Sequence, residues 1–201
     1  MRSLPVRQRP RIHLLQAGGV LLTAAILFTQ ALLAGHAHEF IELAGLGLVV
    51  VCIAGRMWSA VYIGSKKNRE LVTAGPYSIT RNPLYLFSTV GAVGVGLMFG
   101  SVAAALGLGL VVYFILIATA NKESEHLRTL FGARYEDFAR VTPLFWPNVV
   151  LYRDVPELVF SPDALRRTFA DGLLFLAAFP AVEAIEHLHE SGVLPTLTRV
   201  L

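Results

Sequence analysis

Residues 71–87 read LVTAGPYSITRNPLYLF, a polar corner set between long apolar runs. Within the eleven residues from Gly75 to Tyr85 the chain carries one glycine, two prolines, two tyrosines and an adjacent Arg-Asn pair. Polar residues of this kind are unusual between apolar runs. The role of the cluster therefore depends on what structure the flanking apolar runs form.

The composition indicates a membrane protein. Apolar residues make up 55% of the 201 residues and charged residues 15%, with a mean hydropathy of +0.60, whereas soluble domains carry about 25% charged residues. The apolar runs are about 18 to 22 residues long, enough to cross a hydrocarbon core of about 30 Å. The single cysteine, Cys52, excludes an intramolecular disulfide or a cysteine-based zinc site. We expect an all-α, polytopic membrane helix bundle without a Rossmann domain, because no G-x-G-x-x-G follows a strand pattern.

We predict one membrane domain over residues 1–201 with about five transmembrane helices. The predicted spans are about 13–34, 41–62, 84–100, 102–120 and 170–188. The first run is too long for a secretory h-region and has no convincing cleavage site, so we expect it to be retained. Gly100-Ser101 is the only plausible turn between the third and fourth spans and predicts a tight hairpin. Pro180 interrupts the last run, which is compatible with a span, a re-entrant segment or a helix lying against the others; we predict a span.

Most of the basic residues lie in connections that the predicted spans place on the same side of the membrane. Fifteen of the seventeen lie in the N-terminal segment, the connection 63–83 and the region 121–167, and the connections 35–40 and 100–101 contain none. The positive-inside rule makes the basic side cytoplasmic. We therefore expect a multi-pass protein of a cell membrane, with its N-terminus, the polar corner and the 121–167 region all on the cytoplasmic face.

Residues 122–140, KESEHLRTLFGARYEDFAR, predict an amphipathic helix broken near Gly132. Its apolar side chains recur at helical spacing. Glu123 falls on the apolar face while Glu125 points nearly opposite, and a carboxylate on a buried face is costly unless it is paired. Glu123 is therefore the stronger candidate of the two for a functional carboxylate. The following segment, VTPLFWPNVVLY (141–152), is extended and bounded by prolines, and Trp146 suits the membrane interface.

Two polar clusters are thus expected to meet at the cytoplasmic interface. Their members are Tyr77, Arg81, Asn82 and Tyr85 in the first, and Glu123, His126, Arg134 and Tyr135 in the second. A helix starting after the corner would take Asn82 as its N-cap and Pro83 as its first residue, a favoured combination. Its positive dipole end would face the second cluster.

These residues carry a resemblance to a known family. The corner LVTAGPYSITRNPLY, followed about forty residues later by E-x-x-x-L-x-x-x-F-G-x-x-Y, resembles the isoprenylcysteine carboxyl methyltransferase and phospholipid methyltransferase superfamily of integral membrane enzymes. The resemblance covers about residues 40–147. The matched positions are Gly75, Tyr77, Arg81, Asn82, Pro83, Tyr85, Glu123, Leu127, Phe131, Gly132 and Tyr135.

The resemblance implies S-adenosyl-L-methionine as the cofactor and catalytic segments at 71–85 and 121–147. It implies that Glu123 pairs with the amino group or ribose hydroxyls of the cofactor and that Arg81 or the helix N-terminus binds its carboxylate. The cofactor-binding set would be Tyr77, Arg81, Asn82, Pro83, Tyr85, Glu123 and Tyr135. Arg81, Glu123 and His126 are the candidate catalytic residues, with His126 a base for an amine or hydroxyl acceptor, whereas a carboxylate acceptor needs no base.

The sequence departs from the family pattern at two positions. Asn82 stands where the prenylcysteine enzymes have His, and Ser124 replaces the second residue of a Glu-Glu pair, which leaves Glu123 or Glu125 as the carboxylate. The expected partners are the bilayer and a lipid or lipophilic acceptor, with no nucleic acid. The acceptor (prenylcysteine, phospholipid amine or a small lipophilic thiol) and the oligomeric state stay open.

Two other function classes fit parts of the sequence. Glu123-x-x-His126 and Glu186-x-x-His189 both have the spacing of a di-iron motif, which would indicate a membrane hydroxylase or desaturase. The final apolar run should separate the two histidines, which argues against a shared iron centre, and our prediction is no metal site. A non-enzymatic membrane scaffold, in which the same motifs only cap helices, is the remaining alternative.

Overall fold

The computed structural model describes residues 29–31, 36–64, 66, 69–191, 193 and 198–200. Over this part of the chain the helices are α1 (His36–Ile63), α2 (Pro76–Ile79), α3 (Pro83–Met98), α4 (Val102–Phe131), α5 (Ala133–Val141), α6 (Pro162–Leu176) and α7 (Ala178–Glu190). A single 3-10 turn covers Val149–Leu151. Two three-residue strands, β1 (Thr29–Ala31) and β2 (Thr198–Val200), pair in parallel with Thr29 opposite Thr198.

The expected all-α membrane helix bundle is confirmed. Three helical stretches are long and apolar enough to cross a membrane, His38–Ile63, Val102–Phe131 and Pro162–Ile185, and α3 is a shorter apolar helix. The predicted first span, 13–34, lies outside the described residues except for Thr29–Ala31. At those three positions the helix prediction is wrong, because β1 forms by pairing with a segment at the other end of the chain that local periodicity cannot reveal.

Helix α3 runs antiparallel to both α1 and α4 and touches them backbone to backbone. A Cβ atom on Gly45 of α1 would lie 2.6 Å from the carbonyl oxygen of Gly94 and 2.7 Å from the backbone nitrogen of Met98. On the other side, a Cβ atom on Gly96 would lie 2.3 Å from the Cα atom of Ala105 in α4. Small residues of this kind allow membrane helices to approach closely, where van der Waals packing replaces the hydrophobic effect.

A tight turn joins α3 to α4. Gly100 takes a φ of +62°, which glycine adopts at little cost, and the Ser101 hydroxyl accepts a hydrogen bond from the Ala104 N–H at 3.1 Å. Helix α4 then runs unbroken to Phe131, so the amphipathic segment expected to be separate is the end of the same helix. No glycine or proline lies between Gly109 and Gly132 to end it. Glu123 is therefore fixed to the same rigid element as the apolar span.

The C-terminal helices pack against α1 and close the core. Helix α6 begins at Pro162, earlier than the predicted 170, because Ser161 caps it by accepting from the Ala164 N–H at 3.3 Å and Pro162 occupies its first position. Helix α7 brings Val182 into the core cluster with Val49 and Met98. Exposed apolar side chains lie on the outer faces of α1, α4 and α6, as expected for contact with lipid.

Replacing Gly45 by alanine is expected to destabilise the bundle, because the new methyl group would meet backbone atoms of α3 that cannot move aside. Overpacking of this kind costs about 1–3 kcal/mol. Gly47 is the matched control, since a Cβ atom there meets nothing within 4 Å. Thermal unfolding in detergent should show a lower midpoint temperature for Gly45→Ala than for wild type and an unchanged midpoint for Gly47→Ala. Equal midpoints for the two variants would contradict the close α1–α3 contact.

Candidate functional site

The polar corner, residues 75–82, is held against a second segment, residues 143–153; each contains only one short helical turn. The Gly75 N–H donates to the carbonyl of Arg153 at 2.7 Å, the Arg81 N–H donates to the carbonyl of Pro143 at 2.9 Å, and the Asn148 N–H donates to the carbonyl of Ile79 at 2.9 Å. Two segments with little regular structure thus satisfy part of each other's backbone hydrogen bonding, as buried backbone requires.

Side chains of the corner complete this network. The Thr80 hydroxyl donates to the carbonyl of Phe145 at 2.8 Å, and the Asn82 amide nitrogen donates to the carbonyl of Leu144 at 3.0 Å. Asn82 occupies the N-cap position of α3 with Pro83 after it, but its side chain makes no capping hydrogen bond. The amide that the sequence assigned to capping a helix instead holds the second segment in place.

Gly75 is required by the backbone and by a neighbouring ring. Its φ is +58°, and a Cβ atom there would lie 2.3 Å from the ring of Tyr62. The Tyr62 hydroxyl in turn donates to the Asp154 carboxylate at 2.6 Å. That hydrogen bond, followed by one from the Val155 N–H, lowers the pKa of Asp154. The end of α1 is thereby tied to the same two segments.

A cavity of about 800 Å³, counting its open mouth, lies between the corner, the ends of α1 and α4, and α5. The side chains that line it are Ile63, Glu70, Leu71, Val72, Tyr77, Arg81, Asn82, Leu84, Tyr85, Glu123, Ser124, Leu127, Tyr135 and Phe138. The cavity combines an apolar lining with a few polar groups, as small-molecule sites do.

The two charged side chains that face the cavity from α4 and the corner are each bound by a tyrosine. The Tyr85 hydroxyl donates to the Glu123 carboxylate at 2.8 Å. The Arg81 guanidinium donates through Nη1 to the Tyr135 hydroxyl at 3.1 Å and lies 6.0 Å from the centroid of that ring. Both charges are thus oriented from the side and keep hydrogen-bonding capacity toward the cavity.

Two buried polar atoms at the cavity have no hydrogen-bond partner among the described residues. They are the Tyr77 hydroxyl and Nε of Arg81. Burial, and next the negative charge of Glu123, raise the pKa of Tyr77, so its phenol stays neutral and keeps its proton. Since an unsatisfied buried donor costs about 1–3 kcal/mol, these atoms call for a hydrogen-bond acceptor in the cavity.

Comparisons with known proteins agree with this architecture. The phospholipid methyltransferase family model matches residues 41–134. The cobalt-zinc-cadmium resistance protein CzcN of Cupriavidus metallidurans is 36% identical over 74% of this chain and 69% of its own length. The nickel-cobalt-cadmium resistance protein NccN of Alcaligenes xylosoxydans xylosoxydans gives the same identity and coverage.

The chain belongs to the isoprenylcysteine carboxyl methyltransferase and phospholipid methyltransferase family. A third relative, protein-S-isoprenylcysteine O-methyltransferase B of Arabidopsis thaliana, is 26% identical over 56% of this chain and 62% of its own length. No solved structure matches the chain. The relatives' names thus divide between methyltransferases and metal-resistance proteins.

The fold brings most of the predicted site residues of this family member together. Those that line the cavity are Tyr77, Arg81, Asn82, Tyr85, Glu123 and Tyr135. Pro83 is buried at the start of α3 and does not line the cavity. His126 and Glu125 are exposed and also lie outside the lining. Glu125 is rotated about 200° from Glu123 around α4, whereas His126 is only about 60° away but on the side opposite to the lining residues Ser124 and Leu127.

Other lining residues were not identified from the sequence. Ile63 and Glu70 lie just before the predicted catalytic segment 71–85, where no periodicity or motif predicts a wall of the site, whereas Leu71 and Val72 are the first residues of that segment. Ser124 is buried and lines the cavity beside Glu123. The sequence did carry a signal for Ser124, because this residue occupies the position of the second carboxylate in the family pattern.

Metal-ligating side chains do not cluster in the described part of the chain, where no group of three or more His, Cys, Asp or Glu residues lies close enough to hold an ion. In the first E-x-x-H pair, Glu123 faces the cavity while His126 is exposed. The side chains of Glu186 and His189 in the second pair lie outside the described residues.

Replacing Thr80 by valine should loosen the corner, because it keeps the side-chain shape but removes the hydrogen bond to the buried carbonyl of Phe145. The loss should lower the free energy of unfolding by about 1–3 kcal/mol. Thr129→Val is the control, since the Thr129 hydroxyl makes an exposed bond within its own helix. Denaturant or thermal unfolding in detergent measures the stability of both variants. If Thr80→Val is as stable as wild type, the role given to this hydrogen-bond network is contradicted.

Proposed function

We propose that this protein is an S-adenosyl-L-methionine-dependent membrane methyltransferase that acts on a lipophilic acceptor. The observation that carries the proposal is the cavity in which a carboxylate, Glu123, faces two buried donors, the Tyr77 hydroxyl and Nε of Arg81, that have no partner in the described part of the chain. The family membership and the methyltransferases among its named relatives support the same conclusion.

The polar groups of the cavity fit the functional groups of this cofactor. S-adenosylmethionine, when bound, supplies an electrophilic methyl group on a sulfonium. Glu123 is suited to accept hydrogen bonds from the amino group or ribose hydroxyls, and Arg81 to bind the carboxylate, because charge-assisted hydrogen bonds are the strong ones. Tyr77 has a free hydroxyl to donate, Tyr85 and Tyr135 orient the two charges, and Asn82 with Pro83 sets the start of α3 at the cavity.

In this proposal the side chains position the reactants and no protein base is required. Methyl transfer is an in-line displacement, for which correct positioning contributes effective molarities of about 10⁵ M or more. His126, the candidate base, is exposed and outside the cavity lining, so the geometry favours an acceptor that is already ionised. A lipophilic carboxylate, which needs no protein base, is the acceptor we propose.

The proposed acceptor enters from the bilayer and the cofactor from the cytoplasm. The helices that end at the cavity have exposed apolar outer faces, and the basic residues cluster on the connections beside it. The positive-inside rule places that side in the cytoplasm, where the polar cofactor is available.

The first test is calorimetric binding of S-adenosylhomocysteine to the detergent-purified protein. Glu123→Gln removes the charge but keeps the shape, and should weaken binding by about tenfold or more, since a hydrogen bond to a charged group is worth about 1.5–3 kcal/mol. Glu125→Gln is the matched control, because Glu125 lies two residues away on the exposed face of α4 and does not line the cavity.

Three outcomes would change the assignment. A well-folded wild-type protein that does not bind would remove the cofactor proposal. Equal binding by wild type and Glu123→Gln would move the site elsewhere. A loss for Glu125→Gln as large as that for Glu123→Gln would show that the wrong carboxylate was chosen. If binding behaves as expected, transfer of a labelled methyl group into a lipid extract identifies the acceptor.

A role in metal resistance is the second candidate function, and it rests on the names of the two relatives that are 36% identical. We expect any metal tolerance that the protein confers to depend on the cavity. Cells expressing wild type, Glu123→Gln or Glu125→Gln can be grown on cobalt, zinc and cadmium. Tolerance lost only with Glu123→Gln would make resistance a consequence of activity at this site; tolerance kept by that variant would favour a separate role.

A further inference from the structure

Residues 144–152, here called the 144–152 loop, carry large apolar side chains on their outer surface. The exposed fractions are 67% for Trp146, 70% for Val149 and 88% for Val150. The loop is nevertheless well anchored, since Phe145 beside them is buried. A patch of this kind on a firmly held segment marks a contact surface.

The loop lies against the apolar part of α4. The ring of Tyr113 packs edge-on to Phe145 at 4.9 Å and lies 5.8 Å from the ring of Trp146, measured between centroids. Tyr113 precedes Glu123 by ten residues, which is about 15 Å along the helix axis. Its neighbour Phe114 is 62% exposed within a candidate membrane span. The exposed surface of the loop is therefore continuous with the lipid-facing surface of α4.

The part of the loop backbone that faces the corner meets the requirement for entering lipid. Non-helical backbone is tolerated at membrane depth only where protein groups satisfy its hydrogen bonds. The carbonyls of Pro143, Leu144 and Phe145 accept from the Arg81 N–H, the Asn82 amide and the Thr80 hydroxyl.

Further backbone groups of the loop are paired with the corner or within the loop. Pro147 has no N–H, and the Asn148 N–H donates to the carbonyl of Ile79. The Asn148 side chain accepts from the Val150 N–H at 3.2 Å, and the Asn148 carbonyl accepts from the Leu151 N–H at 3.1 Å. Water is not needed for any of these contacts.

The length of α3 gives an independent reason for a non-helical segment at this depth. Its sixteen residues span about 24 Å at 1.5 Å per residue, less than the hydrocarbon thickness of about 30 Å. The corner that precedes α3, together with the loop bound to it, is in position to fill the remaining depth.

We propose that the 144–152 loop is inserted into the bilayer, with Trp146, Val149 and Val150 in contact with lipid acyl chains beside α4. Because the loop holds the corner, insertion fixes the cavity at the level of the membrane boundary. The proposal does not depend on the methyltransferase assignment.

The chain has two tryptophans, which allows a direct test. Trp58→Phe leaves Trp146 as the only tryptophan, in full-length protein reconstituted into lipid nanodiscs. Its emission should be blue-shifted and quenched at least about twofold more by lipids brominated in the acyl chain than by iodide in water. Trp146→Phe is the matched variant, because Trp58 is half-buried, with ring centroids 6.5 Å from Phe87 and 6.2 Å from Tyr152, and should be quenched less by the same lipids than the exposed Trp146.

A second measurement covers the case in which the tryptophan variants fold poorly. Val150→Cys in nanodiscs should react slowly with a water-soluble maleimide and fully after unfolding, whereas Glu157→Cys, on the exposed segment that follows, should react at once. Cys52 is buried, so the unmodified chain is the blank. Iodide quenching of Trp146, or rapid labelling at 150, would show an aqueous loop. Quenching by neither agent would show a protein cover such as a second copy; either result overturns the proposal.

Discussion

The hydrogen bonds between the polar corner and the 144–152 loop are the constraint on which the site depends. Helix α3 is short, so the chain must leave helical structure close to the membrane boundary. There each unpaired backbone group is costly. The carbonyls of Pro143, Leu144 and Phe145 supply the acceptors that the corner requires. These hydrogen bonds therefore hold the corner beside the cavity without a long helix or a sheet, and with it the residues Thr80, Arg81 and Asn82.

Tyrosine partners allow two opposite charges to remain able to bind a ligand in one cavity. A direct ion pair between a carboxylate and a guanidinium would satisfy both and leave little for a ligand. Here Glu123 is held by the Tyr85 hydroxyl and Arg81 by the Tyr135 hydroxyl. Neutral donors and acceptors fix the orientation of each charge at low cost, and Nε of Arg81 stays unpaired. This is the preorganisation expected of a site that binds a ligand carrying charges of both signs.

The sequence predicts the parts of the structure that local pattern controls. Apolar length predicts the helices, and helical spacing places Glu123 rather than Glu125 at the cavity, because the face of a helix is a local property. It cannot predict contacts between distant segments. The strand pairing of Thr29–Ala31 with Thr198–Val200, and the place of Ile63 and Glu70 in the cavity wall, arise from tertiary contact alone. Asn82 shows the limit most clearly, since its N-cap position is local but the partner of its amide is sixty-two residues away.

Ser124 indicates how this chain differs from the family pattern. A second carboxylate beside Glu123 would place two like charges at neighbouring positions of one helix, where they repel strongly in a half-buried site. Ser124 is buried and lines the cavity, so a neutral hydroxyl takes that place without adding charge. The Glu123 carboxylate already accepts from one tyrosine hydroxyl. Ser124 thus leaves α4 without a second charge beside Glu123, and this difference in charge, rather than the shared fold, is where a distinct acceptor preference within the family would arise.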